Sequence, residues 1–168
     1  FGEDGSTVVF QTDDLTVTAF LVDHRPVEPA VGYRFDYKGR PVLLSGDTIP
    51  SESLMRQANG VDLLLHDAEN PDMLAVLNRA ASATKQDVAA SVANDILTYH
   101  TFPEETARIA WDANAGHLVM THILPPMPVS ILHPAFMGDS KSIFKGPITV
   151  AYDGMLFSML PNTTEIER

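Results

Sequence analysis

The stretch VDLLLHDAEN, residues 61–70, decides how the chain is read. Val61–His66 is a nearly continuous apolar run, and such a run suits a strand buried on both faces. His66 and Asp67 then stand at its end, and the C-terminal ends of strands in α/β sheets are where sites gather. Helical patterns lie on either side. Ser51 is placed to cap a short helix that runs to about Ala58 and ends before Gly60. Downstream, Pro71 to Ala81 sets Met73, Leu74 and Leu77 on one side of a second helix. Thr84 is placed to cap a longer one with Val88, Val92 and Leu97 as its apolar stripe.

The same reading extends outward. Thr101 and Glu104 have the form of a capping box, with Pro103 inside the first turn, and that helix is expected to run to about Ala115 and stop at Gly116. His117–Thr121 is another buried strand, followed by a Pro-rich loop from Ile123 to about Pro134. Toward the N-terminus, Thr7–Gln11 and Leu15–Val22 form a hairpin across Thr12–Asp14. Val31–Tyr37 and Pro41–Ser45 form a second across Lys38-Gly39. Ile148–Tyr152 and Met155–Leu160 are expected to close the chain as a hairpin on Asp153-Gly154. Four strands, then alternating helices and strands, then two strands make an α/β layer with a mixed sheet and flanking helices. No repeat, low-complexity stretch or interdomain linker interrupts it.

The 168 residues suffice for one domain with a sizeable core. The net charge of -11 repels polyanions, so the chain is not a nucleic-acid binder by charge alone. There is no cysteine, which excludes disulfides and thiolate zinc sites. No apolar run approaches the roughly 20 residues that span a bilayer, and no signal peptide is visible. The first residue is Phe1 and not Met, so a targeting segment is compatible with the sequence, and the cytoplasm and the periplasm both stay open.

The polar residues of interest cluster at strand ends. Ser45-Gly46-Asp47-Thr48 follows one apolar strand, His66-Asp67 a second and His122 a third, while His100 precedes a helix N-terminus. Asp and His are good zinc ligands, and a carboxylate can bridge two metals. Taken singly, each also reads as a loop residue or a helix cap, and spacing alone is a weak metal signal.

In this order, the segments DHRPVEPAVGYRF (23–35), LLSGDT (43–48), LLLHDAEN (63–70), YHTFPEETARIA (99–110) and HLVMTHILPP (117–126) resemble ribonuclease Z. They also resemble the arylsulfatase-type hydrolases beside it in the metallo-β-lactamase superfamily. The closing YDGM (152–155) is similar to the end of these proteins. The resemblance implies the C-terminal half of an αββα sandwich. It implies that Asp47 bridges two zinc ions, that His122 is the last metal ligand, and that His100 assists the leaving group. It puts Asp67 where ribonuclease Z usually has a Glu that orients the catalytic histidine. His24 matches a common histidine of the family with no role attached. His66, His117 and His133 read as structural.

One departure is an absence: no H-x-H occurs in this sequence, whereas the superfamily's main ligand motif is H-x-H-x-D-H and normally lies N-terminal to the matched region. The expectation is a chain lacking that half, inactive by itself and unable to hold two zincs tightly. Such a half would expose an apolar sheet face made by Val17, Ala19, Leu21, Tyr33 and Phe35.

Three functions follow. The first is a zinc-dependent hydrolase of a small-molecule ester (phosphodiester, sulfate or related) using a hydroxide that bridges two Zn2+ ions. The second is a tRNA 3′-processing endonuclease, disfavoured by the charge and by the short Val22–Asp47 stretch, which leaves no room for a basic arm. The third is a non-catalytic half-domain that binds a partner chain. The resemblance also implies a homo-oligomer.

Overall fold

A computed structural model describes residues 1–84, 98–127 and 129–168. Its centre is a seven-stranded sheet whose spatial order follows the chain, β1 to β7. β1 (Ser6–Gln11), β2 (Leu15–Val22), β3 (Ala30–Tyr37) and β4 (Arg40–Leu44) form an antiparallel meander. Its tight corner is Lys38-Gly39, with φ of 48° and 75°, which fits the positive dihedrals that a two-residue hairpin turn demands. β5 (Leu63–Glu69), β6 (His117–Leu124) and β7 (Ile148–Val150) then add in parallel, which requires crossovers. The helix α1 (Glu52–Ala58) makes the first crossover; α2 (Pro71–Ala83) and α3 (Pro103–Asp112) lie within the second. The short α4 (His133–Met137) and α5 (Ser140–Ile143) lie within the third.

Register assigns side chains to faces. Phe20, Leu43, Leu64, Leu118, Met120 and Val150 share the face toward the helices. There they pack with Leu54 and Ala58 of α1, Ala107 and Ala110 of α3, and Phe136 and Met137 of α4. This is the core. The opposite face carries Val17, Ala19 and Leu21 of β2 against Phe35, Tyr33 and Val31 of β3, then Leu44, Leu65 and Val119. Its β1–β4 part is only partly covered. Leu21 and Leu44 are 36% and 39% exposed, but Val17 and Ala19 are buried. Of the residues expected to be exposed, Leu21 is, Tyr33 and Phe35 are half-buried, and Val17 and Ala19 are buried.

The rest of that face is covered by the C-terminal segment, which corrects the expected closing hairpin. The Asp153-Gly154 turn forms, with the Met155 N–H donating to the carbonyl of Tyr152 at 3.1 Å, but residues 155–160 do not pair back onto β7. Instead, Phe157 meets the edge of the His117 ring at 5.7 Å, and Ser158 pairs with Glu167. The buried Arg40 guanidinium donates to the carbonyls of Leu160 and Glu165 while pairing with Asp62. Those bonds satisfy the tail backbone without the sheet edge.

Three local expectations also change. Asn70 caps α2, and Thr84 closes its C-terminus, its N–H and Oγ1 both bonding the carbonyls of Ala80 and Ala81. The longer helix expected after Thr84 lies outside the described residues. The N-cap of α3 is Phe102, whose N–H donates to the Glu105 carboxylate at 3.0 Å; Thr101 is buried and engaged elsewhere. Pro103 at the first helical position already fixes that cap one residue later. Finally, β6 runs through Leu124, consuming the start of the expected loop, and a 3₁₀ turn at Ser130–Leu132 leads into α4.

Candidate metal and acid site

β2, β4, β5 and β6 all end at one edge of the sheet, and the chemistry-bearing residues are delivered there. Gly46, with φ of 67°, has the Val31 carbonyl oxygen 2.6 Å from where a Cβ would stand, so only glycine fits the turn that presents Asp47. Thr48 stitches neighbouring loops together. Its Oγ1 accepts from the Asp23 N–H and donates to the Ile49 carbonyl, and its own carbonyl accepts from Thr101 Oγ1 at 2.5 Å. His24, Asp47 and His100 thus stand on three loops bound to one another.

Asp67, at the end of β5, is buried, and its Oδ2 lies 2.8 Å from His100 Nδ1. The substitution of Asp for the longer Glu of the resembled family does not prevent this contact. Burial alone would raise the Asp67 carboxyl, but hydrogen bonds from His100 and His66 outweigh it and the pKa is lowered. Burial pulls the His100 imidazole down. The hydrogen bond to Asp67 and the charges of Asp67, Asp47 and Glu69 push it up, with a net rise that favours the imidazolium. His66 is fully buried and its Nδ1 lies 2.9 Å from the Asp67 carbonyl, consistent with its structural reading. His117 bonds Thr149 through Nε2 at 2.9 Å, away from the site.

His122 reaches the site through a backbone irregularity. Pairing along β5–β6 passes from Asp67↔Thr121 to Ala68↔Ile123, so His122 is an extra residue, with φ of 41°. Such a bulge re-aims a side chain. Strict alternation would send His122 toward the helices with Met120; the bulge gives that side to Ile123, which packs on the core, and leaves His122 half exposed. Its Nδ1 lies 3.4 Å from Asp47 Oδ1 and its ring stacks on that of His100 at 5.5 Å.

Two residues of the site were not assigned roles from sequence. The rings of His24 and His100 are 5.1 Å apart, and one ligand atom from each of His24, Asp47 and His100 lies within 4.8 Å of the other two. Imidazole nitrogen and carboxylate oxygen are donors that suit zinc, so His24 and Asp47 fit a metal ion, whereas His100 as an imidazolium carries protons on both nitrogens and offers it no lone pair. Glu69 is fully buried, neither carboxyl oxygen has a partner among the described residues, and burial pushes it up to about 7. A Glu just before a helix cap reads in sequence as a surface residue. The signal available was the apolar strand it terminates.

Comparison with known proteins shows the family and the fold. A family profile described as a beta-lactamase superfamily domain matches residues 2–123. Ribonuclease Z of Mycobacterium avium (strain 104) is 34% identical over 119 residues, which make up 71% of this chain and 39% of that protein. Ribonuclease Z of Mycobacterium tuberculosis (strain ATCC 25618 / H37Rv) is 37% identical over 113 residues, 67% of this chain and 37% of that one. Among solved structures, the metallo-beta-lactamase fold protein YhfI from Bacillus subtilis superposes with a TM-score of 0.63 at 21% identity, covering 92% of this chain and 53% of that one. Human tRNase Z, short form, gives 0.58 at 22% identity, covering 91% and 45%. These two structures share the fold. The chain spans about two-fifths of the length of the curated relatives it matches.

Proposed function

The chain belongs to the beta-lactamase superfamily domain family, and on that premise we propose that it carries the leaving-group side of a metal-dependent hydrolase of ester-type bonds. The observation that carries this reading is the His100–Asp67 contact of 2.8 Å beside Asp47 and His122. Asp47 and His122 are the proposed ligands of a two-zinc centre. The bound metals would acidify water and neutralise charge on the attacked centre. Asp67 holds the His100 ring through Nδ1, and the proton on His100 Nε2 goes to the departing oxygen. The raised pKa of His100 keeps that proton in place.

A phosphodiester is favoured within the ester class because the relatives at 34% and 37% identity are named ribonuclease Z. The net charge of -11 argues that this part of the molecule does not supply an RNA-binding surface. Asp47 and His122 are two ligands, whereas a catalytic zinc usually takes three protein ligands. We therefore read this chain as one half of a two-sheet domain, with the partly covered face of β1–β4 packing against the second sheet.

Metal analysis and hydrolysis assays of the completed two-sheet protein test this, with an aryl phosphodiester, an aryl sulfate and a tRNA precursor as substrates. Asp47→Ala is expected to lose metal and activity together. His100→Ala is expected to keep its metal and lose about 10²–10⁴-fold in rate. A metal-loaded wild type that cleaves none of the three would overturn the reading in favour of a half-domain that only binds a partner.

A further inference from the structure

His24 is buried at the end of β2, and its place is set by the bonds that join Asp23 to Thr48 and Ile49. Its Nδ1 lies 2.9 Å from the carbonyl oxygen of Tyr99, the peptide that leads directly into His100. A carbonyl only accepts, so this contact requires the proton on Nδ1. The His24 ring also meets the Tyr99 ring edge-on at 4.9 Å and flanks His100 at 5.1 Å, on a ring that Tyr99 and His122 also contact. Asp67 takes the His100 Nδ1–H, His122 and Tyr99 pack on its ring, and His24 bonds the backbone that carries it. His24 touches the ring and also bonds the backbone of the residue before it.

We propose that His24 is a positioning residue for His100, donating Nδ1–H to the Tyr99 carbonyl and lying against the His100 imidazole, so that the His100 ring stays aligned with Asp67. The proposal deepens the hydrolase reading and rests on it for the consequence in rate, but the alignment itself can be observed without turnover. The loop that carries His100 has no regular secondary structure of its own at residues 99–101. A misplacement of about 1 Å in a reacting group can cost about 10²-fold in rate. The Nδ1 bond from His24 holds the start of this loop, as the bonds of Thr101 to Thr48 and Glu69 hold its end.

The side-chain amides of Asn and Gln separate the two nitrogens of the ring. His24→Asn puts an N–H near the position of Nδ1, whereas His24→Gln puts one near Nε2. The probe is the Nδ1–H signal of His100 in protein labelled with ¹⁵N-histidine, together with zinc content and kcat. In the wild type this proton is expected to be observable and protected from exchange by its bond to Asp67. His24→Ala and His24→Gln should lose the signal and lower kcat by about 10–100-fold with zinc content and KM unchanged, the scale of a small misplacement. His24→Asn should restore both. Loss of zinc in His24→Ala and His24→Asn, with retention in His24→Gln, would make His24 a metal ligand through Nε2 and overturn the proposal. So would a His100 signal that survives His24→Ala. If the wild type hydrolyses nothing, the hydrolase reading falls, and the His100 signal still decides the role of His24.

Discussion

The two faces of one sheet have different fates. Toward the helices, Phe20, Leu43, Leu64 and Leu118 are fully buried and form a single cluster with α1, α3 and α4. On the other face the last strands are closed by the C-terminal segment through Arg40, and the first four keep Leu21 and Leu44 more than a third exposed. Asp67 follows Leu63 and Leu65 by alternation along β5, and so belongs to the open side. Stability resides on the closed face, and chemistry sits at the edge of the open one. That division lets the core pack independently of the candidate site.

The largest effect should come from the closed face. Phe20→Ala removes a fully buried ring and is expected to cost about 3–5 kcal/mol by denaturant unfolding. A cost below that of an ordinary surface change would place the core elsewhere. Next comes the clasp between the faces. Arg40→Ala removes the donor to the Glu165 carbonyl and leaves the Leu160 carbonyl with the Thr163 hydroxyl alone. It should cost about 1–3 kcal/mol and expose the tail to limited proteolysis well before the sheet. Tail cleavage at the wild-type rate would contradict the assigned clasp.

A smaller, pH-dependent effect belongs to Glu69. Its folded pKa of about 7 lies above its ordinary value of 4.5, so the folded state holds the proton more tightly. That contribution to stability is complete below the ordinary value and is lost as pH rises through about 7. Glu69→Gln should therefore gain about 1 kcal/mol above neutrality and nothing in acid. Parallel pH profiles for the two proteins would show that Glu69 has a partner or is solvated. The smallest effect on stability is expected on the open face. Leu21→Ser with Leu44→Ser should change unfolding by no more than about 0.5 kcal/mol each. Residues 1–168 should self-associate in sedimentation, because an exposed apolar patch favours association, and this pair should weaken it. A wild-type chain that sediments as a monomer would mean that the open face does not seek a partner.

How far the sequence discloses this differs by feature. The places of the strands along the chain were legible because β-branched runs and the Lys38-Gly39 turn are local signals. The closing hairpin was not, since the turn at Asp153-Gly154 says nothing of where the chain goes next, and Arg40, more than a hundred residues upstream, decides that. Thr101 had the right neighbours for a cap, but its hydroxyl is committed to Thr48, 53 residues away in sequence. At the site, Asp47, Asp67, His100 and His122 were legible as a set through resemblance. The bulge that turns His122 outward leaves no mark in the pattern MTHIL. The role of His24 depends on contacts across separate loops, which no periodicity encodes.

The central claim is that His100, held by Asp67, gives its proton to the leaving oxygen, and leaving-group dependence tests it most directly. Rates of the completed wild-type protein and of His100→Ala would be measured on esters of one class with good and poor leaving groups, alongside zinc content. A nitrophenolate needs little proton donation and an alkoxide needs much. The expected result is a loss that approaches about 10⁴-fold for the poor leaving group, shrinks toward the good one, and leaves the zinc in place. Equal losses on both substrates, or loss of zinc with the imidazole, would contradict the account.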